Sequence, residues 1–229
     1  MPFSNLVKGF HVFQHKYFHE NGIYQELTSK GQHPEALVIA CCDSRNDPAL
    51  LLQSKPGEIF VVRNVAAIVP PYQPDDHYHG TSAAIEFAIK GLKVKDIIVL
   101  GHAMCGGVQA LAEKEKTAAS HFEFLTQWIS IGEKAREQVD QKHPGLPPDQ
   151  RQRALEKEVI VASLNNLMTF PWIKEGVEQQ RITLHGWYFD MMNGKLLDYN
   201  FASCVFEEFG NPAPEEAVLL HCHSHGDQS

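Results

Sequence analysis

Residues 37–48 read LVIACCDSRNDP. An apolar run with two β-branched residues stops on two cysteines, then an aspartate, a serine and an arginine. A short continuous apolar run predicts a strand buried on both faces, as in the middle of a parallel sheet. EIFVVRNVA (58–66) and KDIIVLGHA (95–103) have the same form. Between and after them lie helical patterns: TSAAIEFAIKGL (81–92), the glycine-opened CGGVQALAEKEK (105–116), and residues 121–142 and 149–170. RITLHGWYFD (181–190) and KLLDYNF (195–201), joined through Asn193-Gly194, predict a hairpin. Strands alternating with helices predict an α/β fold, a parallel sheet with helices on its faces. Ahead of it, Phe3, Leu6, Val7, Phe10, Phe13 and Phe18 fall near helical spacing, and GQHP (31–34) ends that segment. The chain divides into a helical arm (1–30), an α/β domain (31–210) and a tail (211–229), the last expected to be poorly ordered or held by a partner chain.

The chain has 229 residues, 43% hydrophobic and 21% charged, which suits a soluble domain with a substantial core. A net charge of −8 argues against a nucleic-acid partner, which would call for a basic face. No apolar run reaches the roughly 20 residues needed to span a membrane, and the N-terminal stretch does not read as a secretory signal. An odd count of five cysteines in such a chain points to a reducing, cytoplasmic setting with thiols kept for metal or catalysis.

Two predicted strands end in metal-ligand residue types: Cys41 and Cys42 on the first, His102 and Cys105 on the third. In open α/β sheets ligands bind outside the carboxyl ends of strands, so these two ends can converge. Cysteine, histidine and cysteine form a soft N/S set suited to Zn²⁺, with a fourth position left for water or for a carboxylate. Asp43 can fill that position, or turn to Arg45 and accept a hydrogen bond from the water instead. Other readings of these residues are a closed, structural zinc module, and a vicinal thiol pair in redox chemistry, against which stands the lack of a C-x-x-C.

Taken together, CCDSR (41–45) and GHAMCGG (101–107) resemble the C-x-D-S-R and H-x-x-C-G-G motifs of the β-class carbonic anhydrases, and the similarity extends over roughly residues 20–203. The resemblance implies a four-stranded parallel sheet core with an antiparallel edge strand, flanking helices, and an N-terminal arm that wraps a partner in an obligate dimer or dimer of dimers. It implies Zn²⁺ on Cys41, His102 and Cys105, with Cys42 left to packing. It makes Asp43 and Arg45 the catalytic dyad, CO₂ and bicarbonate the substrates, and a zinc-held water the nucleophile. Hydrolysis of COS or CS₂ is a close variant on the same site. Gln32, Phe60, Val65 and Gly106 match substrate-pocket positions of the plant-type branch. Phe87 stands where the family commonly has tyrosine, so a ring is kept and a hydroxyl lost. A second branch carries a bicarbonate-binding allosteric site of Trp, Arg and Tyr. The matching residues here are Val38, Arg63 and Phe189, which implies the non-allosteric type, with Arg63 serving structure. His77 and His79 read as solvated loop histidines with a proton shuttle as the alternative, and HCHSHGDQS (221–229) as an adventitious metal-binding tract.

Overall fold

The computed structural model describes residues 2–20, 22–120 and 122–209. The tail from 211 on therefore lies outside the described residues. One six-stranded sheet organises the chain, in the order β2-β1-β3-β4-β5-β6. β1 (Ala36–Cys41), β2 (Ile59–Asn64), β3 (Asp96–His102) and β4 (Thr183–Asp190) run parallel. β5 (Lys195–Asn200) and β6 (Val205–Glu208) continue the sheet antiparallel. The expected parallel core and the hairpin are present. The addition is β6: VFEE is too short and too polar to show a strand pattern, and it pairs only because β5 offers a free edge.

β1 is central and buried on both faces, as its continuous apolar run demands. Leu37 and Ile39 pack on one side with Ile97, Val99, Ile160 and Leu164. Val38 and Ala40 pack on the other with Ile98 and Leu100, beside Trp187 and Phe189. Strand alternation thus sends Cys41 toward the first side, where it joins a cluster containing Ala66, Val108, Leu155 and Val159.

The helices are more broken than the sequence suggests. The arm comprises α1 (Pro2–Gln14), a π-helical turn (His15–Glu20) and α2 (Ile23–Lys30), which starts after Gly22 at φ 58°. The left-handed glycine interrupts the helix before GQHP does. α3 (Pro48–Leu51) follows β1, capped by the Asp47 carboxylate on the Leu50 N–H. α4 (Gly80–Glu86) is prolonged by a π-helical turn to Leu92. The predicted helix after Cys105 divides into α5 (Gly106–Ala112) and α6 (Lys114–Ala119), and the 121–142 segment into α7 (Leu125–Ile129) and α8 (Glu133–Lys142).

α9 (Pro148–Leu167) crosses β3 and β4, and α10 (Pro171–Glu178) is a separate helix begun by Pro171. The approach of α9 depends on two glycines. A Cβ on Gly101 would lie 2.7 Å from Ile160 Cδ1, and one on Gly186 would lie 2.8 Å from Leu164 Cδ1. No helix among the described residues is long and apolar enough to cross a membrane.

Candidate metal centre

β1 and β3 are neighbours in register, so their carboxyl ends place Cys41 and His102 at one edge. The turn after β3 then reverses through Met104, at φ 56°, and returns Cys105 to the same spot. Ligand atoms of Cys41, His102 and Cys105 lie within 4.8 Å of one another, and all three residues are buried. Cys41 Sγ and Cys105 Sγ are 3.8 Å apart, far beyond disulfide distance. Two sulfurs each about 2.3 Å from a tetrahedral ion are separated by about 3.8 Å, so the observed spacing would suit a shared metal.

His102 fits the same description. Its Nδ1 lies 2.8 Å from the Ala103 carbonyl, an acceptor, which assigns the proton to Nδ1 and the lone pair to Nε2. That Nε2 is buried and has no hydrogen-bond partner among the described residues. An orphaned ring nitrogen beside two thiols is a ligand position by chemistry.

The electrostatics favour a cation here. The neighbouring Cys105 thiol, with help from His102 and the Asp43 N–H, draws the Cys41 pKa down to about 4 against the cost of burial. The Cys41 thiolate and burial in turn push the Cys105 thiol up. Burial opposes a charge on His102, yet the Cys41 thiolate, the Ala103 carbonyl and Asp43 together raise its pKa. A metal ion bound here would take the place of the Cys105 thiol proton, since coordinated thiols are deprotonated.

Asp43 faces the group without joining it. Its Oδ2 is 3.9 Å from His102 Nε2. Both its oxygens are taken by Arg45, with Nε donating to Oδ1 at 2.9 Å, Nη2 to Oδ2 at 2.7 Å, and the backbone N–H to Oδ1 at 3.0 Å. This bidentate fork holds the Asp43 carboxyl well below the usual carboxylate range. Arg45 Nη2 also donates to the Met104 carbonyl at 3.2 Å, tying the turn after β1 to the turn after β3.

Arg63, on β2, holds the first of these turns from below. Its guanidinium donates to the carbonyls of Cys41 (2.9 Å), Asp43 (2.7 Å) and Asn46 (3.3 Å), and to the Asp47 carboxylate (3.1 Å). No shorter side chain spans these acceptors. Arg63→Ala is expected to destabilise the fold by about 2–4 kcal/mol, because it strands buried carbonyls. Urea denaturation measures it, and a loss under about 0.5 kcal/mol, the size typical of a plain surface change, would contradict the role.

The pocket residues divide. Gly106 begins α5 and is open: a Cβ there would meet nothing within 4 Å. Val65 abuts Gly107, where a Cβ would lie 2.5 Å from Val65 Cγ1. The Phe60 and Phe87 rings are 5.8 Å apart. Val65 and Phe87 remain 36% and 51% exposed, so neither is plain core. Gln32 is exposed in the stretch between α2 and β1 and makes no hydrogen bond to the other site residues within the chain. Cys42 requires a correction: β1 ends at Cys41, and Cys42, one residue beyond, is exposed and not packed in the core. His77 and His79 share the Asp75 carboxylate, at 3.0 and 2.7 Å, in an exposed loop.

The sequence reading missed Glu156. It lies four residues before Ile160 and eight before Leu164, on the buried stripe of α9, and a carboxylate at that helical spacing is the signal that marks it.

A family model for carbonic anhydrase matches residues 36–196. "Beta carbonic anhydrase 5, chloroplastic" of Arabidopsis thaliana is 38% identical over 208 residues, which is 90% of this chain and 64% of that protein. The chain thus spans somewhat less than two thirds of that relative's length. Among solved structures, the β-carbonic anhydrase CcaA aligns with a TM-score of 0.85 at 31% identity, over 92% of this chain and 93% of that one. A tetrameric β-carbonic anhydrase of Sordaria macrospora aligns with a TM-score of 0.73 at 27% identity, over 92% and 98%.

Proposed function

Because the chain belongs to the carbonic anhydrase family, in its β class, we propose that it is a zinc lyase catalysing the reversible hydration of CO₂ to bicarbonate and a proton. The observation that carries this reading is the buried Nε2 of His102, without a hydrogen-bond partner among the described residues, beside two thiols 3.8 Å apart, with Asp43 adjacent yet turned to Arg45. Zinc bound by Cys41, His102 and Cys105 lowers the pKa of a water from 15.7 toward about 7 and so supplies a nucleophile at neutral pH. Asp43 would accept a hydrogen bond from that nucleophile and orient it toward CO₂, while Arg45, forked onto both carboxylate oxygens, keeps the carboxylate ionised. The carboxylate's remaining acceptor capacity and its place 3.9 Å from His102 Nε2 support this role. Phe60, Val65 and Phe87 form an apolar wall suited to uncharged CO₂. The Gly106 N–H and Gln32 steady the oxygen charge that grows as bicarbonate forms.

Gln32 reaches the pocket from a second copy. The arm supports self-association as a dimer or dimer of dimers: Phe3, Leu6, Phe10 and Val12 are each more than half exposed, which a monomer's surface does not favour. Residues 1–30 are then the exchanged arm of the catalytic unit. Packing supports the non-allosteric branch, since Val38 and Phe189 share an apolar cluster and Arg63 is spent on the turn after β1. Turnover of CO₂ and COS on one preparation tests the substrate. Appreciable COS hydrolysis with negligible CO₂ hydration would overturn it.

A further inference from the structure

The turn that carries Cys105 contains a left-handed Met104, a conformation that a long side chain adopts only where its surroundings impose it. The Met104–Cys105 peptide is gripped at both of its polar ends. Arg45 donates to its carbonyl at 3.2 Å, and its N–H donates to Glu156 Oε1 at 3.0 Å.

Glu156 is only 2% exposed. Burying a carboxylate is costly unless donors surround it. Oε1 also accepts from Gln152 Nε2 at 3.0 Å and pairs with Arg153 Nη2 at 3.1 Å, and Oε2 accepts from the Tyr188 hydroxyl at 2.8 Å. Gln152 Nε2 reaches the Cys105 carbonyl as well, at 3.2 Å, so both backbone polar groups of Cys105 answer to this cluster. Burial of Tyr188 and the adjacent Glu156 carboxylate push the phenol well above its ordinary pKa, which keeps it a donor.

We propose that Glu156 is a positioning residue: with Arg45 it clamps the Met104–Cys105 peptide from its two ends, and so aims Cys105 Sγ at the point shared with Cys41 and His102. The proposal rests on the reading of those three residues as a metal centre. It also joins the Asp43–Arg45 pair to α9 through a single peptide bond.

Cobalt(II) titration of the full chain tests it, read by the thiolate-to-cobalt charge-transfer band and by competition with a chelator. Glu156→Ala is expected to shift the band and weaken cobalt binding roughly 10- to 100-fold, the usual cost of losing a partner that orients a metal ligand. Glu156→Gln keeps an acceptor for the Cys105 N–H and is expected to restore the wild-type band. A folded Glu156→Ala protein with wild-type spectrum and affinity overturns the proposal, and so does a Glu156→Gln protein as impaired as Glu156→Ala. If Glu156→Ala does not fold, Tyr188→Phe decides: a shifted band supports the proposal and an unshifted one overturns it. Failure of the wild type to bind cobalt, or equal binding by Cys41→Ser, would instead overturn the metal-centre reading, and this proposal with it.

Discussion

Replacing Cys41 by serine is expected to abolish both zinc and turnover, whereas Cys42→Ser leaves both near wild type. The two thiols are adjacent in sequence and equal in chemistry. Position separates them. Cys41 is the last residue of β1, 4% exposed, with its Sγ 3.8 Å from that of Cys105. Its neighbours, Cys105 first, lower its pKa, which favours the thiolate that a metal takes as ligand. A serine hydroxyl there stays protonated and is a poor ligand for a borderline-soft ion. Cys42 lies outside the strand and is exposed. Metal content after dialysis and CO₂ hydration rate, measured on each variant, check this expectation. Equal zinc loss from the two would refute it.

Asp43→Ala is expected to keep zinc and lose roughly 10²- to 10³-fold in turnover, the range typical of a positioned hydrogen-bonding group acting on the reacting atoms. Asp43 touches the centre only across 3.9 Å, so removing it leaves Cys41, His102 and Cys105 in place. The same geometry sets a pH expectation. Arg45 holds the Asp43 pKa below its ordinary value. A depressed folded pKa contributes stability above the unfolded value, about 4, and loses it as the pH falls through the folded value. The dyad therefore weakens only in acid, and no inflection from Asp43 belongs in a rate profile between about pH 6.5 and 9. Near wild-type turnover in Asp43→Ala would remove it from the mechanism. An abrupt loss of activity below about pH 8, where an Asp43 held by Arg45 stays ionised, would mean that the carboxylate leaves Arg45 for the metal.

Much of this was legible in the sequence because its signals are local. LVIA needs burial on two sides, which makes β1 central, and the carboxyl ends of two such apolar strands are where Cys41 and His102 stand. Asp43 and Arg45 are two residues apart, so their pairing is a property of one turn. What the sequence concealed depends on tertiary contacts. Glu156 meets Cys105 across 51 positions, and only because Gly101 lets α9 lie close. Strand β6 has no pattern of its own and forms against the free edge of β5. Cys42 is exposed and not packed, because β1 stops at Cys41 and the chain leaves the sheet there.

Stopped-flow CO₂ hydration, run on the full chain with zinc measured in the same sample and Cys41→Ser as the blank, tests the central claim most directly. The expected result is a rate that rises in proportion to bound zinc and persists from about pH 6.5 to 9, the range in which a zinc-held water with a pKa near 7 supplies the nucleophile. A protein that holds one zinc per chain on Cys41, His102 and Cys105 yet hydrates CO₂ no faster than the blank would contradict it.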